Sequence, residues 1–552
     1  MRNTAAVRLL SRDRFRLQSL RATVAMILGS GMAVTLMMTA VPASGATVDS
    51  SPLTEQEKIG RQIFKSGIGQ QPITATISAG QVVPSSGDFA CQRCHGEDGA
   101  GQREGGVLVP PIKLPDLTAR ISGTRPSGRS HPAYAEATIA AALRDGIDPA
   151  GQSLHALMPR FRMSDADMAG LLAYLGRLGN EPVAGVESGS VRVAMLRPES
   201  GPLAEGGRSV ESLLRAMFED INDRGGIYGR KILLTTLAYD PLDRSLAAKR
   251  VAELIETGQV FCFIGSVGLQ SNDLISKAIA AAGVPVIAPA TPALIDATED
   301  RGNVYTVLPG FDTQAKVMVD FVAERFAPRI ARIAVVSTAD DEGKRLAAAA
   351  RRQMEKRQMA LAAAIALPPQ GLDERHWQAL QASRADAILY LGGANDSTRL
   401  AARLQASVWQ PMTVGSAERM AGAMIHWGRM PRLAQQFFAA ALFDGQEPEP
   451  AAARRFEALV RPDQAAIRHL GLLWAAYSGV ELLEHALRLT GRQLTTQRLT
   501  GSMDRIERFH AGVFPEITYS NYRREGTRGS RIIAANAESG RWREARGWRE
   551  PK

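Results

Sequence analysis

Short apolar runs alternate with longer amphipathic segments along the C-terminal two thirds of the chain. The runs have the length and composition of strands, and segments between them such as RSVESLLRAMFEDINDRGG repeat their apolar residues at helical spacing. This alternation predicts right-handed β-α-β units on parallel sheets, and about 340 residues predict two such lobes with a ligand crevice beyond the carboxyl ends of the strands. The predicted strands are VRVAML, KILLTTLAY, FCFIGS, VPVIAPA, RIAVVST, AILYLGG and PMTVGS.

The preceding part of the chain carries a helical pattern instead. TEQEKIGRQIFKSG begins with Thr54 as N-cap and Glu57 at the third helical position, and MSDADMAGLLAYLGRL begins with Ser164 as N-cap. A stretch with Gly, Pro and Ser then separates this small all-α domain from the first strand, which predicts a linker. The predicted divisions are 1–46 signal peptide, 51–180 helical domain, 181–190 linker, 191–535 two-lobed α/β domain and 536–552 basic C-terminal tail.

The first 46 residues read as an export signal. Six arginines flank the start of the apolar stretch ATVAMILGSGMAVTLMMTAV, and the small residues PASGA predict cleavage after Ala46. An uncleaved anchor is the alternative, because the apolar stretch is about as long as a membrane span. The Gly-Ser-Gly break favours cleavage, and membrane contact is expected only if the leader is uncleaved.

The formal net charge of +10 lies mostly at the two ends of the chain. The leader holds six Arg and one Asp, residues 521–552 hold nine Lys or Arg and four Glu, and the middle is close to neutral. No nucleic-acid partner is therefore expected, and the tail charge is interpreted as a solvated edge.

Two of the three cysteines fall in the segment FACQRCHGEDGAGQ, where Cys91 and Cys94 precede His95. A structural zinc site needs a second ligand pair, but Cys262 stands alone in an apolar run, and a thioredoxin-like pair needs an amphipathic helix where this chain has glycines and acids. The spacing therefore predicts one covalent haem c. Two thiols on one helical turn can add to the haem vinyl groups, and the adjacent His95 then ligates the iron.

Residues 54–180 resemble a monohaem class I cytochrome c at GRQIFKSG, CQRCHGEDGAG, MPRF and LLAYL. The resemblance implies haem attachment outside the cytoplasm and a methionine sixth ligand on the loop before the last helix, which is Met158. Pro159 favours an extended conformation there. Met163, His155 and His131 are the alternatives. Over twenty residues inserted before the haem motif depart from the family pattern, and their role is left open.

The rest of the chain resembles the type I periplasmic solute-binding proteins, in particular the branched-chain amino acid (Leu/Ile/Val) binding family. Six segments carry the resemblance in the family's order, and together they imply a two-lobed α/β fold. The segments are SGPLAEGG, INDRGGIYGRKILL, AYDPLDRSLAAKRVAELI, FIGSVGLQS, GVPVIAPAT and NYRREGTRGSRII.

The resemblance implies only part of a ligand grip. Leu269 stands where the family commonly has a serine, which leaves Ser266 or Gln270 as substitutes. Glu342 replaces an aromatic residue, and Glu418 approximately matches the acid that binds an ammonium group. These departures argue against an amino-acid ligand. The residues that match the carboxylate grip are Ser200, Gly201, Ala290 and Thr291.

Three classes of function fit this combination of domains. The first is a periplasmic electron carrier whose second domain binds a small solute or docks a redox partner, such as a dehydrogenase or another cytochrome. The second is the substrate-binding protein of an ABC importer with an accessory haem domain, and the third is an enzyme or haem sensor. The electron carrier is the expected function. An iron ligated by both a histidine and a methionine has no open position, which argues against a haem sensor or an enzyme, and no enzymatic activity is expected.

Overall fold

The computed structural model describes residues 53–77, 82–84, 89–104, 107–119, 131–179, 181–269, 273–290, 303–442, 449–460, 469–513, 515–535 and 542–552. The leader and its cleavage position lie outside these residues. Within the described ranges, no helix combines the length and the hydropathy needed to cross a membrane.

The first domain is built from short helices and very short strands. Its helices are α1 Glu55–Ser66, α2 Cys91–His95, α3 Leu114–Thr118, α4 Glu136–Arg144 and α5 Asp165–Arg177. Its strands are β1 Thr74–Thr76, β2 Val82–Pro84, β3 Gln102–Glu104, β4 Val107–Val109 and β5 Arg160–Arg162.

Helices α1 and α5 pack against each other, and both predicted N-caps are confirmed. Thr54 Oγ1 accepts from the N–H of Glu57 at 3.2 Å, and Ser164 Oγ accepts from the N–H of Asp167 at 3.1 Å. The two helices cross where Gly60 faces Gly170, since a Cβ at Gly60 would collide with the Gly170 carbonyl. This close approach closes the core of the domain.

The inserted residues before the haem motif contribute a small sheet. Strand β1 pairs antiparallel with both β2 and β5, and Ala75 lies opposite Phe161. Ala75 and Phe161 are buried in the core of the domain. The insertion therefore supports β5, which begins two residues after Met158.

The second domain begins with a lobe around a five-stranded parallel sheet of order β10-β9-β8-β6-β7. Apolar clusters cover both faces of this sheet, which agrees with its nearly uninterrupted hydrophobic strands. The elements are β6 Ser190–Pro198, α6 Ala204–Asp223, β7 Lys231–Tyr239, α7 Arg244–Glu256, β8 Cys262–Ile264, α8 Leu274–Ala281, β9 Val286–Ile287 and β10 Val304–Tyr305.

The other lobe is built on a seven-stranded sheet of order β12-β11-β13-β14-β15-β16-β17. Strand β16 runs antiparallel to both of its neighbours, β15 and β17, and the other strand pairs are parallel. Its first elements are α9 Phe311–Phe326, β11 Arg332–Thr338, α10 Asp341–Lys356, β12 Ala360–Leu367, α11 Glu374–Ala382, β13 Ala387–Tyr390, α12 Ala394–Ala406, β14 Met412–Ser416, α13 Ala417–Met420, α14 Met424–Arg429, α15 Pro431–Ala434 and β15 Phe437–Ala441.

The chain then returns to the first lobe before it completes the second sheet. The described helices that join the first lobe's core are α16 Pro450–Leu459, α17 Leu470–Thr490 and α18 Thr496–Met503. Strands β16 Ser530–Ala535 and β17 Trp542–Arg549 complete the seven-stranded sheet.

Within the described residues, the segments 305–310 and 519–530 run side by side between the lobes, and they are called here the crossing segments. The N–H of Thr306 donates to the Arg524 carbonyl at 2.9 Å, and the N–H of Gly526 donates to the Thr306 carbonyl at 2.8 Å. The carboxylate of Glu525 accepts from the N–H of Gly310 at 2.9 Å, at the start of α9.

The prediction of a separate basic tail is corrected for residues 542–549, because they form the edge strand β17. The ring of Trp542 packs edge-on against Phe437, with 5.8 Å between centroids, and Arg546 pairs with Glu324 at 3.0 Å. Hydrogen bonding to β16 and these side-chain contacts hold the strand to the sheet. Many of its other side chains stay exposed, as an edge strand allows.

Candidate haem site and solute-binding cleft

The C-x-x-C-H segment forms the one-turn helix α2 in the first domain. Cys91 is half-buried against the domain's core, Cys94 is exposed and His95 is 6% exposed. Burial raises the pKa of the Cys91 thiol to about 12. The helix thus presents two thiols and a buried imidazole within five residues.

The His95 ring is oriented by the loop that follows it. Nδ1 lies 2.9 Å from the carbonyl oxygen of Pro110. Because a carbonyl can only accept, Nδ1 carries the proton and the lone pair of Nε2 is left to bind a metal. Burial lowers the pKa of His95, which favours the neutral form. Gly101, at φ +76°, lets the loop fold this closely, since a Cβ there would collide with the Val109 carbonyl.

A small apolar cleft opens beside Cys91. Its lining contains no charged side chain, and such surroundings suit a porphyrin because they limit solvent access to the iron. The lining residues are Ile63, Gly67, Ile73, Phe89, Cys91, Leu143, Phe161, Met163 and Leu171.

These features fit covalent haem c. Cys91 and Cys94 would hold the macrocycle, and His95 would ligate the iron through Nε2. The haem, when bound, supplies a centre that takes up and releases one electron. The chain supplies the orientation of the imidazole through Pro110 and the apolar surroundings.

Two methionines lie close to this core. Met158 is partly buried against it, on a turn in which the N–H of Met158 donates to the His155 carbonyl at 3.0 Å and Arg160 donates to the Met158 carbonyl. Met163 lines the apolar cleft itself. Both methionines can reach the core, and Met158 stays the predicted sixth ligand.

The two alternative histidines belong to local surface structure. His155 is exposed, and its Nδ1 accepts from the N–H of Leu157 at 3.2 Å. Nδ1 of His131 lies 2.7 Å from the Pro132 carbonyl, and its ring contacts Tyr134. These contacts favour a methionine over either histidine.

On the first lobe, the predicted ligand residues are only partly brought together. Ser200 and Gly201 are exposed on the loop after β6. Ser266 is fully buried, its hydroxyl accepts from the N–H of Leu196 at 3.2 Å, and its carbonyl accepts from the N–H of Ala290 at 2.9 Å. Ser266 therefore links β8 to β6 through its hydroxyl and to the segment after β9 through its carbonyl.

The other residues named for this lobe are Leu269, Thr291 and Gln270. Leu269 is 9% exposed and packs into the apolar cluster beside the five-stranded sheet, so it offers no polar group. Thr291 and Gln270 lie outside the described residues.

On the second lobe, Glu342 pairs with a residue that the sequence analysis missed. Nη1 of Arg419 lies 2.8 Å from Oε1 of Glu342, and the Arg419 guanidinium lies over the ring of Phe311 at 5.2 Å. Glu342 and Arg419 follow the carboxyl ends of β11 and β14, where a crevice is expected. The only hint of this pair in the sequence is that an arginine directly follows Glu418. Its partner Glu342 lies 77 positions away, and residue spacing does not predict a pair at that separation.

Glu418 is engaged with three protein donors. Oε1 accepts from the N–H of Leu442 at 2.8 Å, and Oε2 accepts from the Gln314 amide at 2.8 Å and from the Ser416 hydroxyl at 3.4 Å. Burial raises the pKa of Glu418 in spite of these bonds. The carboxylate thus ties β14 to α9 and to the end of β15.

A protein-family model described as periplasmic binding protein matches residues 190–540. The chain belongs to this family. A second family model, cytochrome c, matches residues 85–179, so this periplasmic binding protein carries a cytochrome c domain at its N-terminal side. Both resemblances and the predicted fold class are confirmed.

Individual relatives agree with this assignment. A Leu/Ile/Val-binding protein homologue of Brucella abortus is 31% identical over 147 residues, which are 26% of this chain and 36% of that protein. The chain thus spans about a third of the length of the curated relatives it matches.

Solved structures show the same fold at low identity. A branched-chain amino acid transporter's periplasmic ligand-binding protein from Burkholderia xenovorans is 15% identical with a TM-score of 0.54, covering 65% of this chain and 95% of that one. A branched-chain amino acid ABC transporter protein from Thermus thermophilus with bound valine is 14% identical with a TM-score of 0.52, covering 66% and 97%.

Proposed function

We propose that the chain is an exported monohaem c-type cytochrome that carries electrons in the periplasm, with a second domain that binds a small solute or docks a redox partner. The buried His95 supports this most directly. The Pro110 carbonyl fixes the tautomer of the His95 ring. His95 lies one helical turn from Cys91, which borders the apolar cleft. A dehydrogenase or another cytochrome in the same compartment would be the redox partner.

The proposed role is transfer of electrons without catalysis. With His95 and Met158 both ligating the iron, the haem would have no open position for a substrate. An enzyme or a haem sensor would need such a position.

Spectra of the purified full chain test this role. The reduced protein should be low-spin, and carbon monoxide should not change its spectrum, because His95 and Met158 would both ligate the iron. A high-spin reduced spectrum that shifts with carbon monoxide would contradict the electron-carrier role and favour a sensor or an enzyme.

The alternative is an importer's substrate-binding protein, which the names of its relatives favour. Binding of an amino acid is opposed by the burial of Ser266, whose hydroxyl is closed off from a ligand, and by Glu342, which competes with a ligand carboxylate for Arg419. Leucine and isoleucine should therefore bind the full chain at millimolar strength or not at all.

Titration calorimetry of the full chain with leucine and isoleucine separates the two functions. A micromolar dissociation constant, about −8 kcal/mol, would favour the importer.

A further inference from the structure

The loop after the haem motif rests on the second domain. The Asp98 carboxylate accepts from the guanidinium of Arg498 on α18 at 3.0 Å, and the N–H of Glu97 donates to the Gln497 side-chain oxygen at 3.3 Å. These pairs join residues 400 positions apart. The Asp98 side chain is only 16% exposed, and limited access of water strengthens an ion pair.

Asp98 also belongs to the loop that holds His95. Its Oδ1 accepts from the N–H of Ala100 at 3.0 Å, and its Oδ2 accepts from Lys113 Nζ at 3.2 Å. Lys113 follows, by three positions, the Pro110 whose carbonyl binds His95. A displacement of Asp98 therefore acts on the segment that orients the His95 imidazole.

At its other end, α18 contacts both crossing segments. The Tyr305 hydroxyl lies 3.1 Å from the Thr500 carbonyl and 2.9 Å from the Asp504 carboxylate, and both oxygens can accept from it. Asp504 in turn pairs with Arg524 at 3.2 Å, and the Arg524 guanidinium lies over the Tyr305 ring. Tyr305 and Arg524 lie on different crossing segments, where lobe closure in such folds is accommodated.

We propose that the Asp98–Arg498 contact couples the haem site to the crossing segments, so that movement of the lobes changes the reduction potential of the haem. Loss of the contact removes a cation from the neighbourhood of the haem and opens the loop to water. Both changes stabilise the oxidised iron, which carries one more positive charge, so the reduction potential falls. The coupling rests on the proposed haem function, whereas the domain contact does not.

Carbodiimide cross-linking of the full chain tests the contact without reference to haem. The variant Arg498→Lys places an amine where it can form an amide with Asp98, and peptide mass spectrometry should detect that cross-link. Arg505→Lys is the matched control: Arg505 is exposed, donates to the Gly501 carbonyl and should give no cross-link to Asp98.

Lys113, which contacts the Asp98 carboxylate, provides an internal positive control. An amide between Asp98 and Lys113 shows that the carbodiimide has activated the Asp98 carboxylate. If that amide forms and the one to the lysine introduced at position 498 does not, the docking and the coupling are both overturned.

Reduction potentials of the full holoprotein test the coupling. Arg498→Gln should lower the potential, and Tyr305→Phe should shift it although Tyr305 lies in the second domain. Tyr390→Phe removes the hydroxyl of an equally buried tyrosine, which donates to the Gly393 carbonyl in the second lobe, and should leave the potential unchanged.

Potentials equal to that of the unmodified chain in Arg498→Gln and Tyr305→Phe would overturn the coupling even if the domains dock. A chain without covalent haem would contradict the proposed function and the coupling together, and the cross-link would still report the docking.

Discussion

At the scale of single residues, the identity of the sixth iron ligand has the most direct effect on the spectrum of the protein. Met158→Ala should abolish the near-infrared sulfur-to-iron charge-transfer band of the oxidised protein, because no thioether would then face the iron. Met163→Ala is the matched control, since Met163 lines the cleft but is not the predicted ligand. A band that survives in Met158→Ala and disappears in Met163→Ala would move the assignment to Met163.

Glu418 gives a second residue-scale prediction, on the pH dependence of stability. Because burial raises its pKa above the usual 4.5, the native state takes up a proton before the unfolded chain does as the pH falls. The free energy of unfolding should therefore rise, relative to Glu418→Gln, as the pH falls through the native pKa toward about 4.5, and this gain is lost as the pH rises.

Urea unfolding of both proteins over a pH series measures this difference. Glu187→Gln is the control of opposite sign, because hydrogen bonds from Arg192 lower the pKa of Glu187. The contribution of Glu187 to the free energy of unfolding is therefore lost as the pH falls. A Glu418→Gln difference that does not change with pH would contradict the assignment.

Local and long-range residue signals differ in how well the sequence reveals them. The haem motif is legible because Cys91, Cys94 and His95 share one helical turn. The Glu342–Arg419 pair is not, because it depends on how the ends of β11 and β14 meet in the sheet. For the same reason the sequence shows Glu342 only as an acid in place of the family's aromatic residue, and its cation partner Arg419 becomes visible in the structure.

At the scale of elements, the α1–α5 crossing depends on two glycines. Gly60→Ala should destabilise the first domain by about 1–3 kcal/mol, because its methyl group would push the helices apart at the Gly170 carbonyl. Gly176→Ala on α5 is the control: its nearest neighbour would be a Leu114 methyl group at 3.8 Å, so it should be tolerated. Thermal unfolding followed at the haem absorption measures both, and an unaffected Gly60→Ala variant would contradict this crossing.

The predicted strands of the second domain all appear in its two sheets, but several strands were missed. β12 and β15 are rich in alanine, and β17 contains four charged residues and two tryptophans. Alanine favours helices, so only the neighbouring strands β11, β14 and β16 make these segments extended. The strands found from the sequence are those whose β-branched residues carry a local signal.

At the scale of the whole molecule, the two domains are in contact but have separate hydrophobic cores. The described core of the first domain draws on residues 53–178, and the cores of the two lobes draw on residues from 183 onward. Contacts between the domains such as Asp98–Arg498 are polar. Each domain should therefore fold on its own core.

Cysteine variants of the full chain test that independence. Cys91→Ser combined with Cys94→Ser should yield protein without covalent haem in which the second domain still unfolds cooperatively, because its core contains neither residue. Cys262→Ser should destabilise the second domain and leave haem attachment intact. It places a hydroxyl inside the fully buried β8, at a cost of about 1–3 kcal/mol to the second domain, while covalent haem is retained. Calorimetry with haem staining reads out both, and loss of both domains in the Cys91/Cys94 variant would show that they fold as one unit.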